Sequence, residues 1–140
     1  MTTMRAGGGP AFRQLALGLK LRDASSFENF LVAGNREPCE RVRVAATGAA
    51  ATPRDWLYLW GEPGTGKTHL LEAACQAAPA ARGAPMYVAL REHASLAPAL
   101  LDDIEQAALV CLDDIDAIAT DAAWERALFA LYERLRVAGG

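Results

Sequence analysis

Residues 56–68 read Trp56-Leu57-Tyr58-Leu59-Trp60-Gly61-Glu62-Pro63-Gly64-Thr65-Gly66-Lys67-Thr68. The first five are large and apolar, and such a run needs cover on both faces, as a central strand of a parallel sheet has. The next eight carry the pattern GxxxxGK[ST] in full. That spacing suits a phosphate. Gly61, Gly64 and Gly66 let the backbone curl with its N–H groups inward, where a side chain would block the anion. Lys67 then reaches the β and γ oxygens, and the Thr68 hydroxyl meets Mg²⁺. The positive end of a following helix adds to the attraction.

Working outward, Gly66 to Ala78 reads as that helix, with Leu70, Leu71, Ala74 and Cys75 on one side and Pro79 at its end. Met86 to Leu90 is a second predicted strand, a helix follows near Ser95 to Leu101, and Ala108 to Leu112 is a third strand. Alternation of strands and helices implies an α/β fold. The third strand ends in Asp113-Asp114, 46 residues beyond Lys67, a distance that suits a strand-helix-strand-helix path back to the same sheet edge. Asp113 is placed to hold Mg²⁺ and Asp114 to orient an attacking water. The competing reading is a solvated acidic turn, to which Asp116 is assigned. Asp121 is positioned to cap a last helix carrying Trp124, Leu128, Leu131 and Leu135 at core spacing, with Gly139-Gly140 after it.

On the N-terminal side, residues 1–24 form an arm. Gly7-Gly8-Gly9-Pro10 punctuates it, and Gln14-Leu15-Ala16-Leu17-Gly18-Leu19-Lys20-Leu21 places an apolar residue at every second position, a pattern that can lie extended. Ser25 to Leu31 starts a short folded lead-in. Glu37 to Ala50 reads as a helix with Val42, Val44, Ala45 and Ala49 inward, and Thr47-Gly48 as an early stopping point; Pro53-Arg54-Asp55 breaks the chain before Trp56.

The chain has 140 residues and 52% apolar composition, but 30 residues are alanine, so it can build one modest core. A multidomain enzyme is not expected. The net charge is −3, with residues 1–60 at +3 and residues 61–140 at −6, which leaves no broad basic surface for unspecific DNA binding. Cys39, Cys75 and Cys111 are odd in number and widely spaced, which suggests reduced core thiols and neither a disulfide framework nor a zinc site. His69 and His93 have no ligand at metal-binding spacing. No stretch approaches the roughly 20 apolar residues that span a bilayer, and no signal peptide is evident, so a soluble cytoplasmic protein is expected.

From Phe27 onward the sequence resembles the first half of an AAA+ module of the DnaA type. The residues that carry this are Phe27-Glu28-Asn29-Phe30-Leu31 with Gly34-Asn35, Gly61-x-x-Gly64-x-Gly66-Lys67-Thr68-His69-Leu70-Leu71, and Asp113-Asp114-Ile115. Within that family the chain is similar to regulators that promote hydrolysis of ATP bound to the DnaA initiator, most visibly at Leu109-Val110-Cys111-Leu112-Asp113 and from Trp124 to Arg134. The resemblance implies a RecA-like parallel sheet with flanking helices. It implies ADP or ATP with Mg²⁺ as cofactors, held at Gly61, Glu62, Pro63, Gly64, Thr65, Gly66, Lys67, Thr68 and His69, with the metal at Thr68 and Asp113. The adenine is then expected near Leu31 to Asn35.

The arm is similar to the segment by which these regulators dock on the DNA polymerase sliding clamp. Gln14 would bond at a pocket mouth and Leu15, Leu17 and Leu19 would supply apolar contact; by itself the alternation fits a half-buried strand equally well. DnaA is the second implied partner.

The family module has five core strands and a helical lid, of which residues 25–140 account for three strands. Its sheet order sets the phosphate-loop strand between two later ones, so Trp56 to Trp60 is expected to lack neighbours and the chain to be a truncated half domain. The family's sensor residue and arginine finger have no counterpart up to Gly140. A finger contributes about 10³–10⁵ in rate, so negligible hydrolysis by this chain alone is expected. Two other readings stay open: a fragment of an initiator or helicase-loader ATPase, and an interaction protein that binds no nucleotide.

Overall fold

The computed structural model describes residues 25–48, 56–79, 81 and 83–138. The arm with Gln14, Leu15, Leu17 and Leu19 lies outside them, as does the Pro53-Arg54-Asp55 break.

Helix α1 (Arg36–Thr47) buries Cys39, Val42 and Ala46, one stripe at three- and four-residue spacing. Cys39 and Ala46, not Val44 and Ala45, take the inner positions beside Val42. The helix stops at Gly48, whose φ of 65° puts it in the left-handed region that closes helices. Helix α2 (Lys67–Ala77) buries Leu70, Ala73, Ala74 and Cys75 against α1. Strand β1 (Met86–Ala89) pairs in parallel with β2 (Val110–Asp113), in register from Met86↔Val110 to Ala89↔Asp113. Helix α3 (Ala122–Val137) starts as predicted: Asp121 Oδ1 accepts from the backbone N–H groups of Ala123 and Trp124.

Strand alternation divides the core in two. Tyr87, Ala89 and Cys111 project into the layer under α1 and α2, where the thiols of Cys75 and Cys111 meet. That hydrogen bond and burial push the Cys111 thiol well above its ordinary range. Val88 projects the other way, onto Leu101, Ile104, Ile118 and the α3 residues Trp124 and Leu131. All three cysteines are buried free thiols.

The segment between the strands is where the predicted helix near Ser95 to Leu101 gives way to tight turns, Leu90–Ser95, Pro98–Leu101 and Ile104–Gln106. Pro98 is the cause. The ring disfavours helical backbone at the residue before it, and Ala97 is extended at φ −106°, ψ 142°. Arg134 of α3 ties this crossover down, donating to the Leu101 carbonyl and pairing with Glu105 at 3.1 Å.

Trp56 to Trp60 lacks strand neighbours among the described residues, as the missing later strands imply, and the expected count of three strands is not reached. Among the described residues the sheet has two strands, and these five residues belong to neither. Tyr58 is 74% exposed and Trp60 82%. Leu59 alone packs on the α1–α2 core, and Trp56 lies against Tyr132 of α3 with ring centroids 5.1 Å apart. A backbone without a neighbouring strand has no ladder to join, so apolar composition does not make it one. An open apolar groove of about 650 Å³ runs between this segment, the edge of β2 that pairs with no described strand, and α3, lined among others by Leu57, Leu71, Leu112, Leu128 and Leu135.

Leu131 is 1% exposed and Phe129, on the same helix, 65%. Leu131→Ala is expected to cost about 2–5 kcal/mol through the cavity it leaves. Phe129→Ala should stay within about 0.5 kcal/mol. Urea midpoints of the two variants check this ranking.

Candidate functional site

Three structural pieces converge: the loop 61–66, the first turn of α2 and the end of β2. The loop's curl is written in its backbone, with φ of 150° at Gly61, 81° at Gly64 and 92° at Gly66. Gly66 ends the loop as the residue before α2, with no side chain to cap the helix and no acidic residue in its first turn. The positive end of an eleven-residue helix therefore opens onto the loop. Lys67 folds back over it, its Nζ donating to the carbonyls of Gly61 at 2.7 Å and Glu62 at 2.9 Å, with Thr65 Oγ1 at 3.4 Å. Those are bonds a phosphate oxygen can replace, since an ammonium gains more from an anion than from a carbonyl.

Strand alternation puts Asp113 on the α2 side of the sheet, two residues beyond Cys111. The Thr68 hydroxyl donates to Asp113 Oδ2 at 2.7 Å, bridging 45 residues of sequence. The same oxygen accepts from the Tyr87 hydroxyl at 2.7 Å, and Oδ1 accepts from the backbone N–H of Asp114 at 3.0 Å. Asp113 is 4% exposed. Burial, and after it the bond to Asp113, push the Tyr87 phenol far above its ordinary range, so it stays a donor.

Asp114 leaves the strand in left-handed backbone, φ 54°. Its Oδ2 is covered yet has no hydrogen-bond partner among the described residues, and Arg91 Nε stands 3.7 Å away as an ion-pair partner. Burial and the neighbouring Asp113 charge raise its carboxyl above the usual carboxylate range, against the pull of Arg91.

The lead-in residues hold the loop from behind. Ser25 donates to Glu72 Oε2 of α2, both buried, and His69 Nε2 bonds the Ser26 carbonyl at 2.8 Å. The Phe30 ring leans on His69 at a tilt of 56°, with centroids 5.4 Å apart, and covers Gly66 so closely that a Cβ there would stand 2.5 Å from its Cε2. His69 therefore faces the lead-in. Beside the loop lies a cavity of about 480 Å³ lined by Phe30, Asn35, Pro38, Arg41, Thr65 and Lys67, among others. Of the stretch Leu31 to Asn35, Asn35 reaches that wall, whereas Leu31 is 83% exposed.

With this geometry in place, the comparison with known families is specific. The model of the ATPase family associated with various cellular activities (AAA) matches residues 57–137, more than half of the chain. The chain belongs to the AAA ATPase family. The AAA match spans the loop, the β1–β2 sheet and α3, and a partial P-loop α/β fold follows from it. Binding of a nucleotide with Mg²⁺ is the general chemistry of AAA proteins. Mg²⁺ keeps most of its waters and takes one or two protein oxygens, a demand that the Thr68 hydroxyl and Asp113 carboxylate can meet. No helix among the described residues is long and apolar enough to cross a membrane.

Sequence reasoning missed Tyr87, Ser25, Glu72 and the packing role of Phe30. A tyrosine inside an apolar strand does signal a buried hydroxyl in need of a partner. Naming that partner requires the strand register.

Gly64 has open space around it and Gly66 does not. Gly64→Ala should lose about 1–2 kcal/mol from left-handed backbone alone, and Gly66→Ala more. In a Phe30→Ala background the Gly66→Ala cost is expected to fall to that of Gly64→Ala. Denaturant unfolding of wild type, the three single variants and the double variant measures it.

Proposed function

We propose that this AAA protein holds ADP or ATP with Mg²⁺ and serves as an Hda-like regulator of replication initiation, promoting hydrolysis of DnaA-bound ATP together with the DNA-loaded sliding clamp. The observation that carries the nucleotide half is the 2.7 Å bond between Thr68 and Asp113 at the foot of the glycine loop. It brings together a hydroxyl and a carboxylate that would hold a divalent cation. Gly61, Glu62, Pro63, Gly64, Thr65, Gly66, Lys67, Thr68 and His69 are assigned to the nucleotide and its loop, Thr68 and Asp113 to the metal. When bound, Mg²⁺ supplies positive charge to the phosphate oxygens. Asp114 is assigned the orientation of an attacking water; its Oδ2 has no hydrogen-bond partner among the described residues and faces Arg91 Nε at 3.7 Å.

The regulatory half rests on sequence. Residues 1–24 are assigned as the clamp-binding arm, through Gln14, Leu15, Leu17 and Leu19, and residues 25–140 as the first half of a DnaA-type module, working in the cytoplasm. An initiator or helicase-loader fragment is the rival.

Titration of a fluorescent ADP analogue against the purified chain should give saturable binding that Lys67→Ala weakens at least tenfold. Equal, negligible affinity in both proteins would sink nucleotide binding. For the partner, sliding clamp immobilised on beads should retain the chain and lose it on Gln14→Ala; retention indifferent to that change would favour the rival.

A further inference from the structure

Asp113 is fixed from three directions. Oδ1 is tied to the backbone of Asp114, and the two hydrogen bonds to Oδ2 come from opposite sources, Thr68 on α2 and Tyr87 on β1. A carboxylate oxygen offers two lone pairs in its plane, so Tyr87 claims one of them at the very atom that faces Thr68. The register explains how it reaches: Tyr87 pairs with Cys111, which makes it the diagonal same-face neighbour of Asp113.

Packing does not require that hydroxyl. The ring of Tyr87 fills the apolar layer between Ala89, Cys111 and Cys75, a volume phenylalanine would fill equally. Burying a hydroxyl costs free energy unless it is bonded, and the bond that Tyr87 makes goes to Asp113.

From this we infer that Tyr87 is the positioning residue of the metal carboxylate, an inference that rests on the nucleotide–Mg²⁺ reading above. It aims Oδ2 at the space beside Thr68 and keeps the carboxylate from turning away when Thr68 commits its oxygen to a cation. Its contact is with Asp113 and with neither metal nor nucleotide. Removing such a partner of a metal ligand typically lowers metal affinity by about 10–100-fold.

The test separates metal from nucleotide. Fluorescent ADP is titrated against the full chain in Mg²⁺ and again in EDTA, and the ratio of the two dissociation constants reads the metal's contribution. Wild type should bind more tightly in Mg²⁺. Asp113→Asn should abolish that gain. Tyr87→Phe should cut it about tenfold or more, while its affinity in EDTA and its thermal midpoint stay near wild type. A Tyr87→Phe protein that keeps the full Mg²⁺ gain, beside an Asp113→Asn protein that has lost it, overturns the role of Tyr87 and leaves the nucleotide reading standing. A Tyr87→Phe loss of equal size in EDTA and in Mg²⁺ overturns it too, because a merely structural role predicts that. Wild type without ADP affinity overturns both.

Discussion

A hydroxyl proton between Thr68 and Asp113 joins two parts of the chain that are 45 residues apart, and most of the remaining architecture serves to make that meeting possible. Asp113 must stand on the last position of β2, on the face that looks at α2, and parity with Cys111 ensures it. Thr68 must occupy the first turn of a helix that starts where the glycine loop ends. Shift β2 by one residue and Asp113 turns to the α3 layer while Leu112 faces the loop. The pairing of β1 with β2 therefore does more than close a small core: it sets the parity of the acid.

The loop is shaped from both sides. In front, the backbone of Gly61, Gly64 and Gly66 adopts left-handed angles that exclude ordinary side chains. Behind, Ser25, Ser26 and Phe30 lock onto Glu72, His69 and Gly66. The lead-in residues thus give α2 a fixed starting point, and a buried carboxylate at Glu72 is tolerable because it accepts a hydrogen bond from Ser25. A phosphate-binding loop needs such backing, since its N–H groups can converge on an anion only if the curl is held in advance.

The aromatic segment from Trp56 to Trp60 shows how far composition and context can diverge. Its side chains are those of a buried strand, yet no described strand adjoins it, and the groove toward β2 stays open and apolar. Trp56 rests on Tyr132 and Leu59 packs on the α1–α2 core, so the segment still delivers Gly61 to the mouth of the loop.

The sequence by itself determined the local signals that loop, cap and helix stop depend on. The GxxxxGK[ST] spacing, the Asp121 cap and the stop at Gly48 are each set by a residue acting on its immediate neighbours, through φ preference or capping. Only the tertiary structure decided which distant groups share an atom. That Thr68 and Tyr87 donate to one oxygen of Asp113, that His69 turns to Ser26, and that Phe30 lies on Gly66 all depend on register and packing, which fix positions to tenths of an ångström and leave no periodic trace in the chain. The same reason accounts for Trp56 to Trp60: a strand is defined by its neighbour's hydrogen bonds, and no residue within those five can supply them.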